Sequence, residues 1–78
     1  MKKVIELLQE LHPDRDYDSS SDFISDGLID SVDMQRLLAM IDEEYDVQLS
    51  GTELMPMNFA NTDAIRDLLM SHGLGDDI

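Results

Sequence analysis

The chain has 78 residues, 42% of them apolar, which suffices for one small hydrophobic core and leaves no room for a second domain. It contains no cysteine, so disulfides and thiolate metal sites are excluded. Eighteen Asp and Glu residues against five Lys and Arg give a formal net charge of −13. That charge disfavours nucleic acid and anionic membranes as partners and favours basic proteins.

The first helix is predicted within residues 1–12, because apolar side chains recur there at helical spacing until Pro13 ends the pattern. The stripe consists of Val4, Ile5, Leu8 and Leu11. Polar residues interrupt it too early for a secretory signal peptide, and no run in the chain reaches the roughly 20 apolar residues that span a bilayer. We therefore expect a cytoplasmic protein with no stable membrane insertion.

Residues 13–26 are predicted to form a long first loop, since Asp and Ser are frequent there. Tyr17, Phe23 and Ile24 are isolated apolar residues suited to anchor it. Loops of this length inside small domains tend to be functional.

The second helix is predicted from Ser31 to Tyr45 and is the best-defined element of the sequence. Asp30 is suited to cap it. Its core-facing stripe follows the 3.6-residue period and consists of Met34, Leu37, Leu38, Ile41 and Tyr45.

A short helical region is predicted next. Ser50 and Glu53 have the spacing of a capping box, but Pro56 follows so closely that only short helical turns fit between Gly51 and Phe59.

The last helix is predicted to begin at an Asn61 or Thr62 cap and to end near Gly73. Its buried face consists of Ala64, Ile65, Leu68 and Leu69. Residues 1–73 then form the domain and residues 74–78 a flexible C-terminal tail. Because no strand-like alternation competes, the predicted fold class is all-α, a small three-to-four-helix bundle with a long first loop.

The segment Gly27–Asp33, with the sequence GLIDSVD, leads into the second helix. If Asp30 is the cap, Ser31 lies in the first turn, where unpaired backbone N–H groups and the positive end of the helix dipole stabilise a phosphodiester on its hydroxyl. An isolated Asp-Ser pair is better explained as a plain helix cap, so the setting of the pair in the chain has to decide.

This segment resembles the Asp-Ser-Leu motif of the acyl carrier protein family, which lies at the N-terminus of helix two and carries 4′-phosphopantetheine on the serine. The likeness continues through Leu37, Leu38 and Ile41 to the EEYDV stretch, Glu43–Val47. The flanking helices also fall where the family has them, so the resemblance covers essentially the whole chain, residues 1–72.

The resemblance implies a monomeric carrier domain that is not itself an enzyme. Ser31 is the residue expected to bear the phosphopantetheine arm, and Asp30 is the acidic residue of the motif. The implied partners are a phosphopantetheinyl transferase that takes the arm from coenzyme A, an adenylating enzyme that loads an acyl or aminoacyl group as a thioester, and an acyltransferase or synthase that receives it.

Three departures from the family pattern narrow this expectation. Val32 replaces the usual leucine, which preserves an apolar contact. Arg36 stands at a position that is usually acidic in fatty-acid carriers. The run DGLIDS, Asp26–Ser31, lacks the glycine two residues before Asp-Ser and looks more like stand-alone and D-alanyl carrier proteins. We expect a dedicated pathway rather than bulk lipid synthesis.

A partner-binding surface is predicted on the second helix, because turning the core stripe inward turns a mixed apolar and charged face outward. The surface consists of Val32, Asp33, Arg36, Ala39, Met40 and Glu43, with Met40 at its edge.

In the family a cleft between the helices can shelter the cargo, and Met34, Leu54 and Met55 are the side chains expected to face it here.

A hydrolytic enzyme is disfavoured by the sequence. His12 and His72 both lie near helix C-termini, where the helix dipole favours an imidazolium without any catalytic role. No G-x-S-x-G sequence surrounds Ser31.

A calcium-binding module is the alternative function. An approximate EF-hand loop is formed by Asp22, Asp26, Gly27, Ile29, Asp30 and Asp33. Ile24 stands where an oxygen ligand is needed, and Asp33 stands where a bidentate glutamate is expected. A second acidic trio, Asp14, Asp16 and Asp18, lacks the glycine and the closing glutamate.

Overall fold

The computed structural model describes residues 2–78, which contain three α-helices and no strand. The helices are α1 (Val4–Leu11), α2 (Ser31–Tyr45) and α3 (Thr62–Met70), with two 3₁₀ turns, Gly51–Glu53 and Pro56–Phe59, between α2 and α3. The radius of gyration is 11.3 Å, close to the roughly 11.5 Å expected of a folded domain of this length. The predicted all-α class is confirmed.

Helix α1 begins later than the sequence suggested, at Val4. The Glu6 carboxylate accepts a hydrogen bond from the Lys3 backbone N–H at 3.3 Å, and His12, the residue before Pro13, ends the helix. The fully buried side chains are Val4, Leu7 and Leu8. Ile5 and Leu11 lie at the edges of the stripe and are only half-buried.

Helix α2 has the predicted bounds, because its cap and its apolar period agree. The Asp30 carboxylate accepts from the Asp33 N–H at 2.9 Å, and the Asp33 carboxylate accepts from the Asp30 N–H at 3.2 Å, which is a reciprocal capping box. Of the predicted stripe, Met34, Leu37, Ile41 and Tyr45 are buried and Leu38 is half-buried.

The chain between α2 and α3 folds into the short helical turns that Pro56 predicts. Ser50 N–H donates to the Glu53 carboxylate at 3.0 Å, which confirms the expected cap of the first turn. The second turn ends in Phe59, whose side chain has no exposed surface, and packs against α3.

Helix α3 is capped at both ends as its sequence indicates. The Asn61 side chain accepts from the Ala64 N–H at 2.8 Å. At the other end Gly73 adopts φ +96°, and its N–H donates to Met70 O at 3.0 Å while Leu74 N–H donates to Leu69 O. This pair of bonds is a Schellman motif, which requires the left-handed conformation that glycine adopts without strain.

The core lies where the three helices meet the turns of residues 12–30. Tyr17 and Phe23 pack edge to face, with ring centroids 5.3 Å apart, and Phe23 N–H donates to Ala60 O at 2.5 Å. Side chains with essentially no exposed surface are Val4, Leu8, Phe23, Ile29, Leu37, Ile41, Phe59, Ile65 and Leu69.

The predicted flexibility of residues 74–78 stays a prediction, but two contacts bear on where this segment lies. Ile78 is buried in the core with 5% of its surface exposed, and Asp76 O accepts a hydrogen bond from Arg66 at 2.8 Å. An apolar side chain gains free energy by leaving water, which accounts for the burial of Ile78.

The C-terminal ends of the three helices lack the positive side chains that would offset the helix dipole. None of the three helices carries a basic residue in its last turn, although that is where the helix dipole favours positive charge. Glu43 and Glu44 occupy the last turn of α2 instead, and the acidic Asp46 follows at its C-cap. This end of α2 is held by burial of Tyr45 and by two contacts with Lys2, whose N–H donates to the Glu44 carboxylate at 2.9 Å and whose O accepts from the Tyr45 hydroxyl. Among residues 2–78, no helix combines the length and hydropathy that a membrane crossing requires.

Candidate functional site

Ser31 is the first residue of α2, and its side chain is exposed. Within residues 2–78 its hydroxyl takes part in no hydrogen bond, whereas most other serine hydroxyls of the chain are engaged, such as Ser20 with Asp26 and Ser25 with Asp22. Ser31 therefore presents an exposed hydroxyl that no described residue engages.

Two backbone N–H groups beside this hydroxyl are also unengaged. The capping box uses the Asp33 N–H, and Met34 N–H donates to Asp30 O, which begins the helical pattern. The N–H groups of Ser31 and Val32 find no partner within the described residues. They are the donors that a helix N-terminus offers to an anion.

Asp33 is the only charged residue buried in residues 2–78, with 6% of its surface exposed. His12 Nε2 lies 2.9 Å from its Oδ1, and Arg15 Nη1 lies 3.8 Å from its Oδ2. The same Arg15 nitrogen donates to Leu28 O. A carboxylate at the start of α2 is thus tied to the segment that follows α1.

The pKa of Asp33 is set by opposing effects. Burial raises the pKa of this carboxyl, because it disfavours the charged form. Hydrogen bonds from His12 and from the Asp30 N–H, with the positive charge of Arg15, act in the other direction. Their sum holds the pKa of Asp33 below its ordinary value of 3.8.

This lowered pKa predicts an acid-labile contribution to stability. A carboxylate favoured in the folded state contributes fully above about pH 5, and the contribution is lost as the pH falls through the folded pKa. We expect the difference in unfolding free energy between the wild type and Asp33→Asn, measured by urea denaturation, to shrink between about pH 5 and pH 2.

The matched control is Asp18→Asn, which removes the same charge from an exposed loop position. The difference between the wild type and this variant should change little over the same range. A difference for Asp33→Asn that stays constant with pH contradicts the prediction.

The predicted partner-binding surface is exposed for the most part. Val32 has 56% of its surface exposed, Arg36, Ala39 and Glu43 are exposed, and Met40 is half-buried. Arg36 forms no ion pair within residues 2–78. Asp33 departs from the prediction, because its carboxylate is turned into the molecule by the capping box and His12, leaving little for a partner to contact.

The expected cargo-facing side chains lie at three depths. Met34 belongs to the core, Leu54 is half-buried against the core, and Met55 is 45% exposed. A groove that the sequence did not suggest runs along α2 beside residues 48–49 and is lined by Gln35, Leu38, Ala39, Asp42, Gln48 and Leu49.

Both histidines pair with carboxylates, which sequence reasoning missed. His12 contacts Asp33, and His72 Nε2 lies 2.6 Å from the Glu53 carboxylate. The pKa of Glu53 is lowered by the Ser50 N–H first and by His72 second. Neither histidine has a hydrogen bond to Ser31 in the described part of the chain, so the geometry gives no support to a hydrolytic triad.

The acidic loop residues are engaged locally. Asp22 accepts hydrogen bonds from the N–H groups of Ile24 and Ser25, and Asp26 accepts from Ser20. In residues 2–78 no three carboxylate or imidazole groups are arranged to hold a metal ion. The calcium alternative therefore gains no support from the geometry.

A second hydroxyl occupies a position like that of Ser31. Thr62 is the first residue of α3 and follows the Asn61 cap. It is half-buried, and its helix has 9 residues against the 15 of α2. The positive end of a helix dipole therefore lies beside both hydroxyls, whereas Ser31 is the more exposed of the two residues.

Comparison of the chain with protein-family models, with curated proteins and with solved structures finds no match.

Proposed function

We propose that this protein is a carrier that holds acyl or aminoacyl cargo on a 4′-phosphopantetheine arm attached to Ser31. The supporting observation is an exposed, unengaged hydroxyl at the first residue of a capped helix. It lies within Gly27–Asp33, the segment that resembles the acyl carrier protein motif. The resemblance supplies the identity of the arm, and the geometry supplies a suitable attachment point.

The residues around Ser31 fit a phosphodiester. The free N–H groups of Ser31 and Val32 are positioned at the positive end of the α2 dipole, where an anion is stabilised. Asp30 is occupied as the cap, and the Asp33 carboxylate is turned toward His12 and Arg15, which limits their repulsion of a phosphate. When bound, the arm supplies a terminal thiol on which cargo is carried as a thioester.

Attachment requires one step at Ser31. Its oxygen forms a bond to the phosphate of coenzyme A that bears pantetheine, and the bond from that phosphate to the 3′,5′-ADP portion breaks. The hydroxyl proton passes to a base of the transferase, since within residues 2–78 no histidine or carboxylate is hydrogen-bonded to this hydroxyl. The protein is thus the substrate of the transferase and needs no catalytic group of its own.

The proposed partners are a phosphopantetheinyl transferase, an adenylating enzyme that loads the cargo and an acyltransferase or synthase that receives it. Val32, Ala39 and Met40 supply apolar contact on α2, and Arg36 and Glu43 supply charge of both signs. Because Arg36 is basic, this face favours a partner surface that includes an acidic group. A partner surface with only basic residues would repel Arg36.

The test is loading of the wild-type protein. The apo-protein is incubated with coenzyme A and a promiscuous phosphopantetheinyl transferase, and the intact protein is weighed. We expect a mass gain of one phosphopantetheine per chain. No gain in a folded protein contradicts the proposal, and tight calcium binding with a large helical rearrangement in that same protein favours the calcium-binding alternative.

A further inference from the structure

Two basic side chains from the segment after α1 contact the chain on both sides of Ser31. Arg15 Nη1 donates to Leu28 O, three residues before the serine. Arg15 and His12 both approach the Asp33 carboxylate, two residues after it. The backbone that presents the hydroxyl is therefore held at both ends by the same short segment.

These contacts bear on the turn that contains the hydroxyl. Residues 30–33 are closed by the capping box, in which Asp33 uses both its N–H and its carboxylate. The two oxygens of this buried carboxylate also approach basic side chains, Oδ1 that of His12 and Oδ2 that of Arg15. Loss of either basic side chain leaves the buried charge less well compensated, so that the carboxylate has to turn toward water or take up a proton.

We propose that His12 and Arg15 are positioning residues for the modification of Ser31. They fix the backbone of residues 28–33, so that the hydroxyl and the free N–H groups beside it are presented together to the transferase. The inference rests on the proposed function and adds to it the residues that control presentation of the site. Neither side chain contacts the reacting hydroxyl, so both act through Leu28 and Asp33.

Steady-state loading kinetics test this inference. Arg15→Met and His12→Leu remove the donors, whereas Arg15→Lys and His12→Gln keep a donor in a similar volume. Each variant is titrated as the substrate of the transferase with coenzyme A in excess, and the mass gain gives kcat and KM. We expect kcat to fall about tenfold in the first pair, because a misplaced reacting atom lowers the rate by factors of this order.

The separate changes in kcat and KM distinguish a positioning role from a docking role. KM should change by less than about threefold, since the exposed face of α2 is left intact. Arg15→Lys and His12→Gln should recover part of the lost kcat. If circular dichroism shows that one variant of the first pair is unfolded, the other variant of that pair decides the test, and a wild-type kcat in that folded variant contradicts the proposal.

A matched control addresses stability. Tyr45 donates a hydrogen bond from its hydroxyl to Lys2 O at 2.5 Å. Tyr45→Phe removes this tie at the far end of α2, about 21 Å from Ser31 along the helix axis. The control should load with the wild-type kcat.

The inference is contradicted by a wild-type kcat in Arg15→Met or His12→Leu, by a rise in KM without a fall in kcat, or by an equal fall in Tyr45→Phe. Failure of the wild type itself to accept the arm contradicts the proposed function instead, so the two failures are distinguishable.

Discussion

Replacing Ser31 with alanine is expected to abolish attachment of phosphopantetheine and to leave the fold unchanged. The hydroxyl has no hydrogen bond within residues 2–78 and the side chain is exposed, so its removal breaks no contact of the described structure. Asp30 still caps α2, and alanine is a better helix former than serine. We expect the unfolding free energy to stay within about 0.5 kcal/mol of the wild type.

Intact mass after incubation with coenzyme A and the transferase checks the loss of loading, and urea denaturation checks the stability. Two control variants make the test specific. Ser21→Ala removes another exposed hydroxyl, one that lies in the loop before Phe23. Thr62→Ala removes the hydroxyl at the start of α3, where the helix dipole is equally available. Both controls should gain the arm as the wild type does. Loading of Ser31→Ala, or loss of loading in Thr62→Ala with the fold intact, assigns the site to another residue.

Replacing Phe59 with alanine is expected to remove about 3–5 kcal/mol of unfolding free energy, the range typical of a large aromatic side chain lost from a core. The side chain has no exposed surface, and it anchors the turn Pro56–Phe59 against α3. The next residue, Ala60, accepts the hydrogen bond from Phe23 that joins this turn to the first loop. A chain of this length has only about 4–12 kcal/mol in total, so the expected loss is at least about a quarter of its stability.

Urea denaturation followed by circular dichroism measures this loss. Met57→Ala is the matched control, because Met57 lies in the same turn with 68% of its surface exposed. Its unfolding free energy should change by no more than about 0.5 kcal/mol. A loss of under about 1 kcal/mol in Phe59→Ala contradicts the view that this side chain is a principal anchor of the turns.

The helices could be predicted from the sequence where local signals agree. In α2 the apolar period, the Asp30 cap and the absence of proline all indicate the same bounds, and the structure has those bounds. In α3 the Asn61 cap and Gly73 define the two ends in the same way. Local spacing determines such features, so one sequence is enough to find them.

The surroundings of Ser31 could be predicted only in part. Exposure of the hydroxyl follows from its place on the helix, but His12 and Asp33 are 21 residues apart, and no local pattern indicates that they meet. The helix dipole already explained why each histidine lies near a helix C-terminus, so nothing in the sequence gave reason to expect a carboxylate partner. Burial of Phe59 was missed for a related reason, since a short turn has no periodicity from which an inward face can be identified.

At the acidic end of α2, the binding of a cationic group and the stability of the free protein depend on the same negative charges. Glu43, Glu44 and Asp46 crowd negative charge where the helix dipole is already negative, so the isolated chain carries electrostatic repulsion within itself. Any cationic group that approaches this end relieves the repulsion as it binds, so association and tightening of α2 reinforce each other. Raising the ionic strength affects the two processes in opposite directions. Salt screens the repulsion and stabilises the free protein, while it weakens the attraction of the acidic helix end for any cationic group.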